Sequence, residues 1–517
     1  MEVLSRHRRR ISIVPACTLL ALILSLALSF SLQAPAHAAG EQLTQISSDP
    51  FTNTDSNHKT EVEPDTFAFG NTVVSAFQVG RFFDGGASDI GWATSTNGGE
   101  TWTHGFLPGA TVNSTPPGKY FRASDASVAY DAKHKVWLIS WLGILNPATG
   151  PVDVLVSRST DGGRTFGPPV VVNASGAFND KNWSVCDDTA SSPFYGHCYT
   201  EYDASSNLNR VQVNTSTDGG LTWGTAKTTP DHTCVIGGQP VVQPDGTVVM
   251  PIDDCLESTL LAIRSTDGGK TWKKPVLIAQ LLNDGHPGGI RAPNLPNAEI
   301  DKSGRVYVVW SDCRFEAGCS APIGTNDLLL ASSADGVHWT LPKRIPTAAV
   351  GSNADFFTPG LAVDRSTAGK SAHLGLVYYY YPNSTCTTST CQLDVGFISS
   401  TNGGASWSSA EQLAGPMMLT WLPLTTQGFM VADYLSTSIV PRDDDATPVF
   451  MVASAPTPPP DCSNITTGAP GSGCHQAAFT TPEDLLKMVG GTHVSNAVVP
   501  SGVIKGSRGL TSPATAF

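Results

Sequence analysis

The sequence predicts an all-β chain: a β-propeller of four-stranded antiparallel blades, seven favoured by strand count and six as the alternative. Three observations carry this expectation. The composition suits short strands joined by turns, with 40% apolar and 15% charged residues, 50 Gly and 37 Pro in 517 residues. One short motif returns along the chain. Around each copy lie four runs rich in strand-forming residues.

The motif reads Ser95-Thr-Asn-Gly-Gly-Glu-Thr-Trp102, Ser159-Thr-Asp-Gly-Gly-Arg-Thr-Phe166 and Ser216-Thr-Asp-Gly-Gly-Leu-Thr-Trp223. It returns as Ser265-Thr-Asp-Gly-Gly-Lys-Thr-Trp272, as a shortened Ser333-Ala-Asp-Gly-Val-His-Trp339, and as Ser400-Thr-Asn-Gly-Gly-Ala-Ser-Trp407. A repeat of about 61 residues filled with strands means an array of sheets. Asp or Asn accepts hydrogen bonds from nearby backbone N–H groups, and Gly supplies the positive φ of a tight hairpin. The aromatic residue packs between neighbouring sheets. These aspartates are therefore turn fasteners rather than catalysts.

Ser127–Asp131, Lys135–Trp141, Val152–Ser157 and Pro169–Val172 make one blade around the second copy, and the order recurs along Asn297–Ile345. Val431–Val440, Pro448–Ala453 and Ala477–Thr480 are left over, and Glu41–Ser47 resembles a strand that follows a box. A seventh blade built from both chain ends accounts for all four and removes free sheet edges. The divisions are a signal peptide at 1–38, the propeller at 39–455, a Pro/Gly-rich loop pinned by cysteines at 456–475, and a closing strand with tail at 476–517. Within that tail Glu483–Met488 reads as a short helix.

Arg6 and Arg8–Arg10, an apolar run, and Ala36-His-Ala38 form an export signal cleaved after Ala38. Ten cysteines remain beyond it. Their even count favours disulfides over zinc, and proximity pairs 186–198, 234–255, 313–319, 386–391 and 462–474. The mature protein is expected to be secreted, extracellular and monomeric, without a membrane span. A net charge of -13 with no basic block excludes nucleic acid as a partner. No cofactor is required. Asp443–Asp445 and Asp187-Asp188 could take calcium, although a solvated turn is the favoured reading of each. Tyr378–Tyr381 offers one or two rings for sugar stacking, and His286 reads as a turn residue.

The recurring Ser-x-Asp-x-Gly-x-Thr-Trp pattern resembles the Asp-box (BNR) repeat, and the chain is identified as a member of the sialidase-like (neuraminidase) superfamily over about residues 41–455. The resemblance implies a propeller with three arginines that clamp a sugar carboxylate, a tyrosine nucleophile polarised by glutamate, and an aspartate acid/base. A bidentate guanidinium suits a carboxylate, and a neutral tyrosine approaches an anionic sugar without repulsion. Tyr434, in Ala432-Asp-Tyr-Leu-Ser436, falls where the nucleophile is expected, and Asp125 would be the acid/base. Arg122, Arg291 and Arg314 are the candidate clamp. Asn294 stands near the place of the family's glutamate and cannot act as a base.

The residues point to a site independently. Positions just before each innermost strand line one propeller mouth: Asp65, Asp125, Lys181 with Asn182, Gln239, Arg291 with Asn294, Asp355, and Asp433 with Tyr434. Convergent polar groups around a pocket make a binding site, or else they satisfy loop backbone and water. Two readings follow. One is a secreted exo-α-sialidase-type glycoside hydrolase. The other is a non-catalytic extracellular propeller that binds a glycan, peptide or surface component, so the expected partner is an extracellular glycan or glycoconjugate.

Overall fold

The computed structural model describes residues 43–146, 150–440, 445–455, 462 and 473–484. The export signal, most of the cysteine-pinned loop, Asp443, Asp444 and the tail lie outside these residues. The described chain is all-β. Antiparallel sets of strands follow one another along it. The first comprises Asn57–Phe69, Thr72–Arg81, Ala87–Ser95 and Thr103–Phe106, and the second Arg122–Asp131, Val136–Ile144, Val152–Ser159 and Val170–Asn173. The third holds Asn179–Cys186, Cys198–Ala204 and Arg210–Ser216. The fourth opens on two short pieces, Val235–Ile236 and Val241–Val242, before Val248–Asp254, Thr259–Ser265 and Val276–Gln280. Asn297–Ile300, Val306–Asp312, Asp327–Ser333 and Lys343–Arg344 form the fifth, and Asp355–Val363, Leu374–Tyr381, Gln392–Ser400 and Glu411–Met418 the sixth. The seventh joins Ser436–Val440, Asp445–Ala453 and Gln476–Thr480 to Thr44–Gln45, with Thr44 opposite Thr480.

Each box closes the turn after the third strand of its set. In the second set Ser159 Oγ accepts from Gly163 N at 2.9 Å and donates to Asp161 Oδ1 at 2.8 Å, and that oxygen takes Thr165 N at 3.0 Å. The same bonds recur at Ser216 with Asp218 and at Ser265 with Asp267. Burial opposes the charge on Asp161, but bonds from the Thr165 hydroxyl and N–H, the Ser159 hydroxyl and the Arg164 N–H together overcome it and hold the carboxyl below its ordinary range. The second box glycine touches the preceding set. Gly163, at φ 82°, would place a Cβ 2.7 Å from Val74 Cγ2, so a side chain there meets both backbone strain and a clash. Gly99, Gly220, Gly269 and Gly404 face Thr447, Leu138, Thr215 and Leu330 of their preceding sets in the same manner.

Apolar cores fill the spaces between neighbouring sets. Trp92, Tyr120 and Trp141 lie between the first and second, and Val213, Met250 and Trp272 between the third and fourth. The largest core, with Phe77, Phe397, Tyr379 and Phe450, spans the sixth, seventh and first sets. Tyr378, Tyr379 and Tyr381 are spent on these cores, and Tyr380 stacks on Phe356 at 5.5 Å. That strand is covered on both faces. Ten of the eleven cysteines pair as disulfides, 186–198, 234–255, 313–319, 386–391 and 462–474, and Cys17 lies outside the described residues. One expectation fails. Glu483–Asp484 begins no helix but a strand opposite Ala446 and Asp445, where the second strand of the seventh set extends beyond Gln476–Thr480.

Replacing the box serines tests the fastener reading. Ser159→Ala and Ser216→Ala each remove an acceptor for a buried glycine N–H and a donor to aspartate, and should cost about 1–2 kcal/mol each. Denaturant midpoints unchanged from wild type would show that the boxes do not hold the turns.

Candidate functional site

The site is built from the opening strands of the sets. Four of them break register between Val62 and Asp65, Ser124 and Ser127, Asp180 and Trp183, and Phe357 and Gly360, the first of them also between Asn57 and Glu61. The displaced residues Glu63, Asp125, Lys181 and Thr358 have φ of 56°, 50°, 52° and 47°. Left-handed backbone costs a residue with a side chain about 1–3 kcal/mol, and a bulge re-aims that side chain. In the first and second sets the side chain two residues further on clasps the next set, and Gln239 and Asn297 make similar clasps in the fourth and fifth. Asp65 Oδ2 accepts from Val128 N at 2.7 Å and Ser127 Oγ from Ser184 N at 3.0 Å. Gln239 Oε1 takes Ala298 N at 2.7 Å, and Asn297 Oδ1 takes Leu361 N at 2.8 Å. At the seventh set Thr437 and Ser436 donate to the carbonyls of Gly360 and Thr66, at 3.0 and 3.1 Å.

The re-aimed side chains meet in a buried charge cluster. Asp433 lies at its centre, 2% exposed. It accepts Arg291 Nε on Oδ1 at 2.6 Å, while the Arg291 Nη2 and Lys181 Nζ groups both bond Oδ2. Asp125 accepts the Lys181 backbone N–H at 3.2 Å. Glu63 receives the Gln78 amide, whose oxygen takes an N–H of buried Arg81 at 2.9 Å. Burial first, then the Asp433 and Asp125 charges, push Glu63 up to about 8. Burial would also raise Asp433, but Lys181 and Arg291 outweigh it and hold that carboxyl below its ordinary range. Burial opposes the Lys181 ammonium, and the Asp433, Asp125 and Glu63 carboxyls more than offset it, so its pKa rises.

Tyr434 packs edge-on against Trp183 with ring centroids 5.1 Å apart, and its hydroxyl lies 3.4 Å from Ala126 O. Burial, then the Glu63 and Asp125 charges, raise its phenol well above the ordinary value. Beside these rings is a small cleft of about 20 Å³ lined by Lys181 to Trp183, Gly237 to Gln239, Leu295 and Pro296.

The structure thus gathers Asp125, Lys181, Arg291, Asp433 and Tyr434, and corrects the other candidates. Asp65 is a clasp between sets, because the ladder after the bulge directs it sideways, whereas Gln239 both clasps Ala298 N and lines the cleft. Asp355 binds Asn326 N at 3.0 Å and His286 Nδ1 at 2.7 Å, so His286 is more than a turn residue. Asn294 Oδ1 accepts from Ser311 N at 3.1 Å. Arg122 pairs with Asp84 at 2.6 Å over the Phe82 ring, and Arg314 pairs with Asp312. Neither touches the Asp433 cluster, so these three arginines form no common clamp. Asp187 and Asp188 are occupied by Ser192 and by Ala132 N. Glu63 and Arg81 escape the sequence reading. The signal for Glu63 is its alignment with Asp125 and Lys181, two residues before Asp65, Ser127 and Trp183.

The buried carboxyls give the protein a definite pH response. Glu63 at about 8, Asp65 at about 7 and Asp89 at about 8 are all raised chiefly by burial. Between about pH 4 and those values the native state binds more protons than the unfolded chain, so stability falls as pH rises. Asp433 acts oppositely: its contribution is present above about pH 4 and is lost in stronger acid. The melting temperature should be several degrees higher at pH 5 than at pH 8. Equal values, or a maximum at pH 8, would contradict this account of the buried carboxyls.

Comparison with known proteins places the repeat. The BNR repeat-like domain family matches residues 70–349, more than half of the chain. A sialidase of Micromonospora viridifaciens is 34% identical over 158 residues, a stretch spanning 26% of this chain and 22% of that protein. Among solved structures, Hadza microbial sialidase Hz136 aligns with a TM-score of 0.43 at 15% identity, covering 69% of this chain and 66% of its own. A protein of unknown function from Dyadobacter fermentans aligns with a TM-score of 0.44 at 16% identity, covering 70% of this chain and 100% of its own. With its six boxes and the match over residues 70–349, the chain belongs to the BNR repeat-like domain family, within the sialidase-like superfamily.

Proposed function

We propose that this protein is an exported, seven-bladed propeller that binds an extracellular glycan at the mouth formed by its opening strands, without sialidase-type hydrolysis. Seven blades are supported by the seven antiparallel sets and by a core that runs from the sixth and seventh sets back to the first. Export is supported by the leader and by five disulfides. The binding reading rests on one observation. Asp433 already fills the place between Arg291 and Lys181 where a carboxylated substrate would have to sit.

Hydrolysis is the second reading, favoured by Glu63, which faces the same cluster as Tyr434 and Asp125. In that reading Glu63 polarises the Tyr434 hydroxyl and Asp125 serves as acid/base. Turnover of a fluorogenic α-sialoside by residues 39–517, beside Tyr434→Phe, separates the two. Binding without hydrolysis predicts no cleavage above the Tyr434→Phe background across about pH 4–8. Cleavage that vanishes in Tyr434→Phe would replace binding by hydrolysis.

A further inference from the structure

We infer that the cleft beside Trp183 takes an uncharged sugar and excludes carboxylated ones, with Trp183 as its platform and Asp433 as the group that sets this selectivity. The inference rests on the glycan-binding reading above and names the ligand class for that site.

Two independent features of the chain carry it. The first is the origin of the cleft. Asp65 and Ser127, each two residues past a left-handed bulge residue, hold the next set by accepting a backbone N–H. In the third set that position is Trp183, two past Lys181. An indole has no acceptor, so it cannot make this bond. Among the described residues no side-chain hydrogen bond links the opening strands of the third and fourth sets. The cleft lies at that junction, with Trp183 on one side and Gly237 to Gln239 on the other. Trp183 is half-buried, its ring steadied edge-on by Tyr434 at 5.1 Å. A rigid, partly wet aromatic face is what the C–H face of a sugar ring packs against.

The second feature is charge. The cation that lines the cleft, Lys181, is already paired with Asp433, which also holds Arg291. A ligand carboxylate would have to compete with Asp433 for Lys181, in a protein of net charge -13. A hydroxyl-bearing ring meets no such penalty. Asn182, which lines the cleft, has a buried carbonyl oxygen without a partner while its amide donates to Ser140 Oγ at 2.8 Å. An acceptor left open this way suits a sugar hydroxyl.

Fluorescently labelled protein (residues 39–517) on an array of glycans with neutral, uronic-acid and sialic-acid termini tests the inference. Wild type should be retained by neutral termini only. Trp183→Ala should weaken that retention at least about tenfold. Asp433→Asn, with folding checked by its melting curve, should add retention by acidic termini. Wild-type retention by acidic termini would overturn the neutral class while leaving glycan binding intact. Neutral retention untouched by Trp183→Ala would overturn the location. Absence of retention by any glycan would remove the binding reading itself, and this inference with it.

Discussion

The structure depends on how the opening strands of successive sets are held together where they converge. Each brings together backbone N–H groups of buried residues, such as Val128, Ala298 and Leu361, and an unpaired one costs more than a hydrogen bond returns. The solution is repeated with small changes. A side chain from one set takes the backbone group of the next, as Asp65 takes Val128, Gln239 takes Ala298 and Asn297 takes Leu361. To aim those side chains sideways, several strands insert a left-handed residue just before them. Glu63, Asp125 and Lys181 carry that strain, and their own side chains are thereby sent toward the common centre.

The charge cluster is a consequence of that geometry. Ionisable side chains brought together out of water must neutralise one another or change protonation. Asp433 resolves the conflict for Lys181 and Arg291, while Glu63 resolves its own by taking a proton, pushed up to about 8. Under the proposed binding reading, the same carboxylate that stabilises the centre would also remove its attraction for an acidic sugar, so that stability and ligand choice would meet in one residue.

This division explains what could be read in the sequence. The boxes were legible because their hydrogen bonds lie within a few residues, and the disulfides because they close short loops. Convergence on Asp125, Lys181, Arg291 and Asp433 was legible from their place before each innermost strand. Which residue of a strand start faces the centre was not. A bulge shifts side-chain parity by one, and a one-residue slip exchanges the two faces. Asp65 was therefore taken for Glu63. Arg122 and Arg314 were plausible by type and order, but Asp84 of the first set captured Arg122, and Asp312, two residues away, captured Arg314. Glu483 could not be read as strand, since its partner, Ala446, is distant in sequence.

An array of sheets joined by local clasps can open one junction without loosening the others. Cores between neighbouring sets and the box glycines seated on preceding sets fix the spacing, so losing one side-chain clasp leaves a gap instead of a collapse. Val213, Met250 and Trp272 still hold the third and fourth sets together outside the cleft. Trp183 converts the missing clasp into a surface, because a side chain too large to be covered and unable to accept the next strand's N–H must face what remains open. The residues that would bind a ligand here are the ones the fold could not use to close itself.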